Sequence, residues 1–131
     1  MEILLDTNFI LSGIKQKIQL FEVIRKDFPE YKIVIPTEIM DELEKIKESK
    51  KATLKERESA ELSLFLIKKG GYKNIVLGSK NVDYGIISYT IKNPDIIIAT
   101  LDRELKEKIK SKIKGVKFLT IRQKKKLILE C

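Results

Sequence analysis

Histidine is absent from this chain, and cysteine occurs once, as Cys131. Without an imidazole there is no Ser-His-Asp or Cys-His catalysis and no Cys/His zinc site. A lone cysteine excludes a disulfide framework within the chain. No apolar run approaches the roughly 18 residues that a membrane span needs. Met1-Glu2 meets Asp6 after three apolar residues, which does not read as a signal peptide. The expectation is a cytoplasmic protein with no membrane partner. Abundant Lys, Glu and Ile beside few Gln is also the composition favoured in thermophiles.

What is present suits a soluble fold. The 131 residues are 43% hydrophobic and 35% charged, enough to bury a real core. They predict a single domain over residues 1–131, of which 122–131 form a basic C-terminal tail. Short apolar runs alternate with stretches of helical periodicity, which predicts an α/β fold with a parallel, twisted sheet of about five strands. Strands are expected at Glu2–Leu5, Lys32–Ile35, Asn74–Leu77, Ile96–Thr100 and Val116–Ile121. A helical region follows the first strand and carries Ile10, Leu11, Ile14, Leu20, Phe21 and Ile24. Thr37 is expected to cap a helix with Ile39, Met40, Leu43 and Ile46 on its apolar face. The next helix, about Leu54 to Lys69, would turn Leu62, Phe65 and Leu66 inward and stop at Gly70-Gly71. Asn81 is expected to cap a fifth helical segment. A last one, Arg103–Lys114, shows Leu105, Ile109 and Ile113 at spacing four. The tail beyond Arg122 could add a short helix.

Two aspartates stand at the carboxyl ends of the most apolar strands, where open α/β sheets bind ligands. Asp6 ends strand one, and Asp102 follows strand four. Glu42 borders the apolar face of the helix after strand two, and Asp83 opens the helix after Asn81. Successive separations of 36, 41 and 19 residues mean that only the fold can bring the four together. Each alone has an ordinary use: Asp6 and Asp102 suit helix caps, Asp83 a helix dipole, Glu42 a solvated face. Together they would repel. Two carboxylates about 5 Å apart at an effective dielectric near 20 repel by roughly 3 kcal/mol. Such a group calls for cations, and an all-oxygen set suits Mg²⁺ or Mn²⁺.

Leu4-Leu5-Asp6-Thr7-Asn8, Pro36 with Glu42-Leu43, Asp83, and Ala99-Thr100-Leu101-Asp102 together resemble the PIN domain, over essentially the whole chain. The resemblance implies a three-layer α/β/α sandwich and a Mg²⁺- or Mn²⁺-dependent endoribonuclease. It implies Asp6, Glu42, Asp83 and Asp102 as catalytic and metal-holding acids. Asn8 and Thr100 would support them by hydrogen bonding, and Glu104 falls where some members carry a further acid. The stretch Ile98 to Lys106, with Gly115-Val116 after it, is similar to PIN proteins of small-subunit ribosomal RNA processing. Two departures stand out. Val82 precedes Asp83 where those processing proteins often pair two acids, and the zinc ribbon of one branch is missing.

The net charge of +8 is concentrated. Residues 103–126 hold eleven bases against two acids, a net of +9, and the remainder is about neutral. A one-ended basic field suits a polyanion. Arg103, Lys106, Lys110, Arg122, Lys124, Lys125 and Lys126 are the candidates for holding RNA, single-stranded or structured, ribosomal RNA included. The role within the family stays open at this point. Ribosomal RNA processing or RNA quality control would bring a ribosome-assembly partner, and a toxin-type ribonuclease would bring an antitoxin. A catalytically weak RNA- or protein-binding module is a third reading, and homodimers are common in the family. Other doubly wound domains fit less well. The chain has no Gly-x-Gly-x-x-Gly or P-loop, no paired acids after strand one and no Asp-x-Asp-x-Thr there.

Overall fold

The computed structural model describes residues 1–122 and 125–131. Six strands form one sheet in the order β3-β2-β1-β4-β5-β6. These are β1 (Glu2–Leu5), β2 (Lys32–Pro36), β3 (Lys73–Ile75), β4 (Ile97–Ala99), β5 (Lys117–Arg122) and β6 (Lys126–Glu130). The first five are mutually parallel; β6 runs antiparallel to β5. The helices are α1 (Thr7–Lys15), α2 (Leu20–Asp27), α3 (Thr37–Glu48), α4 (Leu54–Gly70), α5 (Val82–Lys92) and α6 (Arg103–Lys112).

Strand alternation sorts the core into two layers. Ile3, Leu5, Ile33, Ile35, Ile97, Ala99 and Leu119 point toward α1–α4. Leu4, Ile98 and Phe118 point the other way, against Ile86 of α5 and Leu105 and Ile109 of α6. Both faces are covered, as parallel sheets require, and the result is an α/β/α sandwich. No helix of the described residues is long and apolar enough to cross a membrane.

Three expectations are corrected. The tail forms a sixth strand, not a helix: Leu127, Ile128 and Leu129 pair with Ile121, Thr120 and Leu119, which gives the otherwise open edge of β5 a partner. The helical region after β1 consists, as expected, of two helices, which part where the chain turns at Lys17 with φ of 60°. Thr37 is the first residue of α3 and does not cap it; the cap position is Pro36, without a side-chain bond. Helix α4 turns Ser59, Ala60, Ser63, Leu64 and Ile67 inward, leaving Leu62 and Phe65 exposed and Leu66 half-buried. Serine fits that tight face because Ser63 Oγ donates back to the Ser59 carbonyl at 2.7 Å, so its hydroxyl is satisfied within its own helix. The Gly70-Gly71 stop holds, with Gly71 in the left-handed region at φ 63°.

This topology also positions the site. Beyond β1 the chain crosses to β2 on one side, whereas β4 lies on the other. The strand order therefore reverses between β1 and β4, opening a crevice at their carboxyl ends. The parallel register sets Leu5 beside Ala99, so Asp6 and Thr100 emerge as neighbours at its floor.

Candidate active site

Asp6 is built in before any ligand arrives. It is the N-cap of α1 and accepts from the Thr7 backbone N–H at 2.9 Å. Its other oxygen accepts from Thr100 Oγ1 at 2.7 Å, and its own N–H donates to the Ala99 carbonyl at 2.9 Å. Only 6% of the residue is exposed. Burial pushes its carboxyl up to about 6; the bonds from Thr100 and Thr7 oppose the rise, and the charges of Asp83 and Glu42 add to it.

Thr100 carries the link onward. While donating to Asp6, its hydroxyl oxygen accepts from the Asp102 N–H at 3.1 Å. Asp102 caps α6 by accepting from the Leu105 N–H at 3.1 Å. Asn8 Oδ1 accepts from the Leu101 N–H at 3.0 Å and lies 3.4 Å from Thr100 Oγ1. The ends of β1 and β4 are thus tied by one chain of polar bonds, and the two aspartates by a single hydroxyl between them.

Glu42 and Asp83 come from either side. Glu42 projects from α3, and its Oε1 accepts from Thr7 Oγ1 at 2.5 Å. Asp83 lies in the first turn of α5, whose N-cap Asn81 accepts from the Tyr84 N–H at 3.0 Å. Burial raises the Asp83 carboxyl, Asp102 and Glu104 raise it further, and Lys108 pulls it down. The approach of α5 depends on Gly85: a Cβ there would meet the Leu77 Cβ at 2.8 Å. Glu38 of α3 also braces this side, accepting from the Leu77 and Gly78 N–H groups at 3.0 and 2.9 Å.

Asp6, Glu42, Asp83 and Asp102 line one open cleft of about 500 Å³, together with Thr7, Asn8 and Lys45. Among the described residues no three acids are drawn into a ready-made ligand cage. The two observations agree physically. Asp102 is turned to its own helix and Glu42 to Thr7, so the carboxylates share a cavity without closing on its centre. The donor set fits a hard divalent cation: it is all oxygen, and Asp6 and Asp83 are both pushed up by burial with neighbouring acids adding to it.

Of the other candidates, Glu104 is outside the cleft, with its side chain 81% exposed and loosely paired with Lys108 at 3.9 Å. Arg103, Lys106, Lys110 and Arg122 line a second cavity of about 580 Å³ between α6 and the β5–β6 hairpin. They are not equivalent. Lys106 is buried, and its Nζ donates to Glu130 Oε1 at 2.8 Å; Arg122 Nη2 donates to Glu130 Oε2 at 2.8 Å. Both cations, expected to be free for phosphate, are already engaged. Arg103, Lys110, Lys125 and Lys126 are exposed, with Lys110 packed 5.8 Å above the Phe118 ring. Lys124 lies outside the described residues. Two cleft residues had no signal as site residues in the sequence. Thr7 entered the sequence reading only as part of the Leu4–Asn8 motif, and Lys45 not at all.

Comparison with known proteins bears on this geometry. Residues 3–124 match the model of a family described as PIN-like domain. The chain belongs to that family. It is similar to "Ribonuclease VapC4" of Methanocaldococcus jannaschii, 35% identical over 121 residues, which are 92% of this chain and 89% of that protein. It is also similar to a solved structure described as the PIN domain endonuclease Utp24. There the TM-score is 0.78 and the identity 26%, over 98% of this chain and 90% of the other.

Proposed function

We propose that this PIN-like protein is a Mg²⁺- or Mn²⁺-dependent endoribonuclease that hydrolyses RNA phosphodiesters, in ribosomal RNA processing or RNA quality control. The observation that carries the reading is the meeting of Asp6, Glu42, Asp83 and Asp102 in one cleft at the strand-order reversal. The similarity to a named ribonuclease and a named endonuclease supports RNA cleavage. The processing role leans on the Ala99-Thr100-Leu101-Asp102-Arg103-Glu104-Leu105 stretch and the basic C-terminal quarter.

Asp6, Asp83 and Asp102 would hold the cation, with Glu42 either joining them or orienting water. When bound, the cation would neutralise the acids, lower the pKa of water and stabilise charge at phosphorus. The protein's own groups set the rest. The Thr7 N–H and Thr100 hydroxyl fix the rotamer of Asp6, and the Thr7 hydroxyl holds Glu42 by Oε1. Glu42 Oε2 is then the atom to take a proton from the attacking water, which enters in line with the leaving ribose oxygen. Lys45 at the rim would meet a non-bridging phosphate oxygen. Arg103 and Lys110 would hold the flanking strand.

Cleavage of a single-stranded RNA and of a ribosomal RNA precursor fragment, with Mn²⁺, tests this. Asp6→Asn should lower the rate by at least about 100-fold, within the range set by losing transition-state charge stabilisation. The fold should persist, because Asn removes a disfavoured buried charge and keeps an acceptor. A mutant that cleaves as fast as the parent would end the catalytic assignment, and a parent that does not cleave would leave only a binding module. A toxin-type ribonuclease restrained by an antitoxin is the second reading, and the exposed Leu62 and Phe65 on α4, suited to a protein partner, favour it. Growth arrest on expression of the chain alone would select it over processing.

A further inference from the structure

The basic cavity beside the acidic cleft already contains an anion. Leu101 and Arg103, the chain neighbours of Asp102, line the cavity, so the two hollows adjoin along the backbone. On the cavity floor Lys106 is 8% exposed. Its ammonium and the Arg122 guanidinium each donate to a different oxygen of the Glu130 carboxylate, both at 2.8 Å. Two oxygens on one centre, bridging a lysine and an arginine, are also what a phosphodiester offers through its non-bridging oxygens.

The element that brings Glu130 there is the one best able to leave. Strand β6 is the outermost strand, with β5 as its sheet neighbour, and Glu130 stands opposite Phe118 at the end of the ladder. Most of β6 is exposed; Leu127 and Glu130 are half-buried. Strand ends of this kind open at little cost. Glu130 also lies beyond residues 3–124, the part shared with the family. A buried ammonium cannot be left without a partner, since an unpaired buried charge is strongly destabilising. An incoming phosphate can therefore replace Glu130, but only by exchange: one anion leaves as another arrives.

We propose that Lys106 and Arg122 form a phosphodiester-binding site and that Glu130 is its built-in competitor, restraining RNA binding in the free protein. The ligand class rests on the ribonuclease reading above, and the inference adds how that site is regulated. Both cations hold the Glu130 carboxyl below the usual carboxylate range, so the competitor stays charged at neutral pH.

The test is binding of a fluorescent single-stranded RNA in EDTA, where no cleavage occurs, across a salt titration. Glu130→Gln removes the competing charge. Glu107→Gln makes the same change in net charge in the same cavity, at a residue with no ion pair among the described residues. Glu130→Asp keeps the charge but shortens the reach to both cations. Glu130→Gln should bind about 5- to 10-fold tighter, with a log–log salt slope steeper by roughly 0.7 for each added phosphate contact. Glu130→Asp should tighten binding less, and Glu107→Gln by under about 2-fold with an unchanged slope. Equal effects from Glu130→Gln and Glu107→Gln, or no gain with Glu130→Asp in a protein whose melting is unchanged, would overturn the competitor. RNA binding absent from the parent and from every variant would remove the ribonuclease reading as well.

Discussion

Thr7 makes two separate contributions through adjacent atoms. Its N–H fixes Asp6, and its hydroxyl fixes Glu42, so acids that are 36 residues apart in sequence are oriented by one residue. Thr100 links Asp6 and Asp102 in a different way: its hydroxyl donates to the Asp6 carboxylate and accepts from the Asp102 backbone N–H. Two threonines thus touch three of the four acids: Asp6 and Glu42 accept on their carboxylates, whereas Asp102 is held through its backbone N–H and its carboxylate accepts from the Leu105 N–H. Thr7→Val separates the two contributions, because valine keeps the N–H, the β-branch and the volume and loses only the hydroxyl. Cleavage should fall by about 10- to 100-fold, the range seen when a hydrogen bond orienting a metal-site ligand is removed. Melting should change little, since Glu42 is only half-buried and water can replace the lost donor. Steady-state cleavage beside a melting curve distinguishes this from a packing effect; a drop in both together would make Thr7 a structural residue.

Helix α3 and the segment between β3 and α5 form one side of the cleft, and Glu38 is the joint between them. Burial works against its charge, but the N–H groups of Leu77 and Gly78 hold its carboxyl below the ordinary 4.5. A carboxyl depressed in the fold adds stability above its unfolded pKa and loses it as pH falls through the folded value. Glu38→Gln should therefore destabilise by about 1 kcal/mol at pH 7, and denaturant midpoints for the two proteins should draw together as pH falls below the ordinary 4.5. Asp83 should also become less well placed, which a lower cleavage rate at pH 7 would report. Neither bond was foreseeable, because the partners lie 39 and 40 residues from Glu38 in the sequence. The regular elements were legible where hydrophobic pattern and cap chemistry agreed, as in β1, β4 and α6 with its Asp102 cap. Helix α4 misled because its largest apolar residues face solvent and its buried stripe includes two serines, one bonded to its own helix. The tail misled because it is rich in lysine; the pairing partner that makes it a strand lies in β5. The four acids were legible from strand ends and helix starts. Thr7–Glu42 and Glu130 with its two cations were not, since those contacts exist only after the sheet order sets their neighbours.

The charge map divides the molecule into a cleft that repels phosphate and a flank that attracts it. On the proposed reading a net charge of +8 would draw RNA in, and four acids would meet it at the cleft. Binding energy would then come from the flank, and the acids, holding a cation, would serve turnover. With Lys106 and Arg122 engaged by Glu130, the cations left to the strand in the free protein include Arg103, Lys110, Lys125 and Lys126. Four phosphate contacts on a single strand correspond to a log–log salt slope near −3, at roughly −0.7 each. Titration of RNA binding between low and physiological salt should give about that value for the parent. Arg103→Gln or Lys110→Gln should each flatten the slope by roughly 0.7 while leaving sequence preference alone, because phosphate contacts carry no base information. The Asp6→Asn protein should bind RNA at least as tightly as the parent under the same conditions, since it loses one repelling charge. A flat slope in the parent would take the basic flank out of substrate binding and leave the cleft to bind RNA by contacts other than charge.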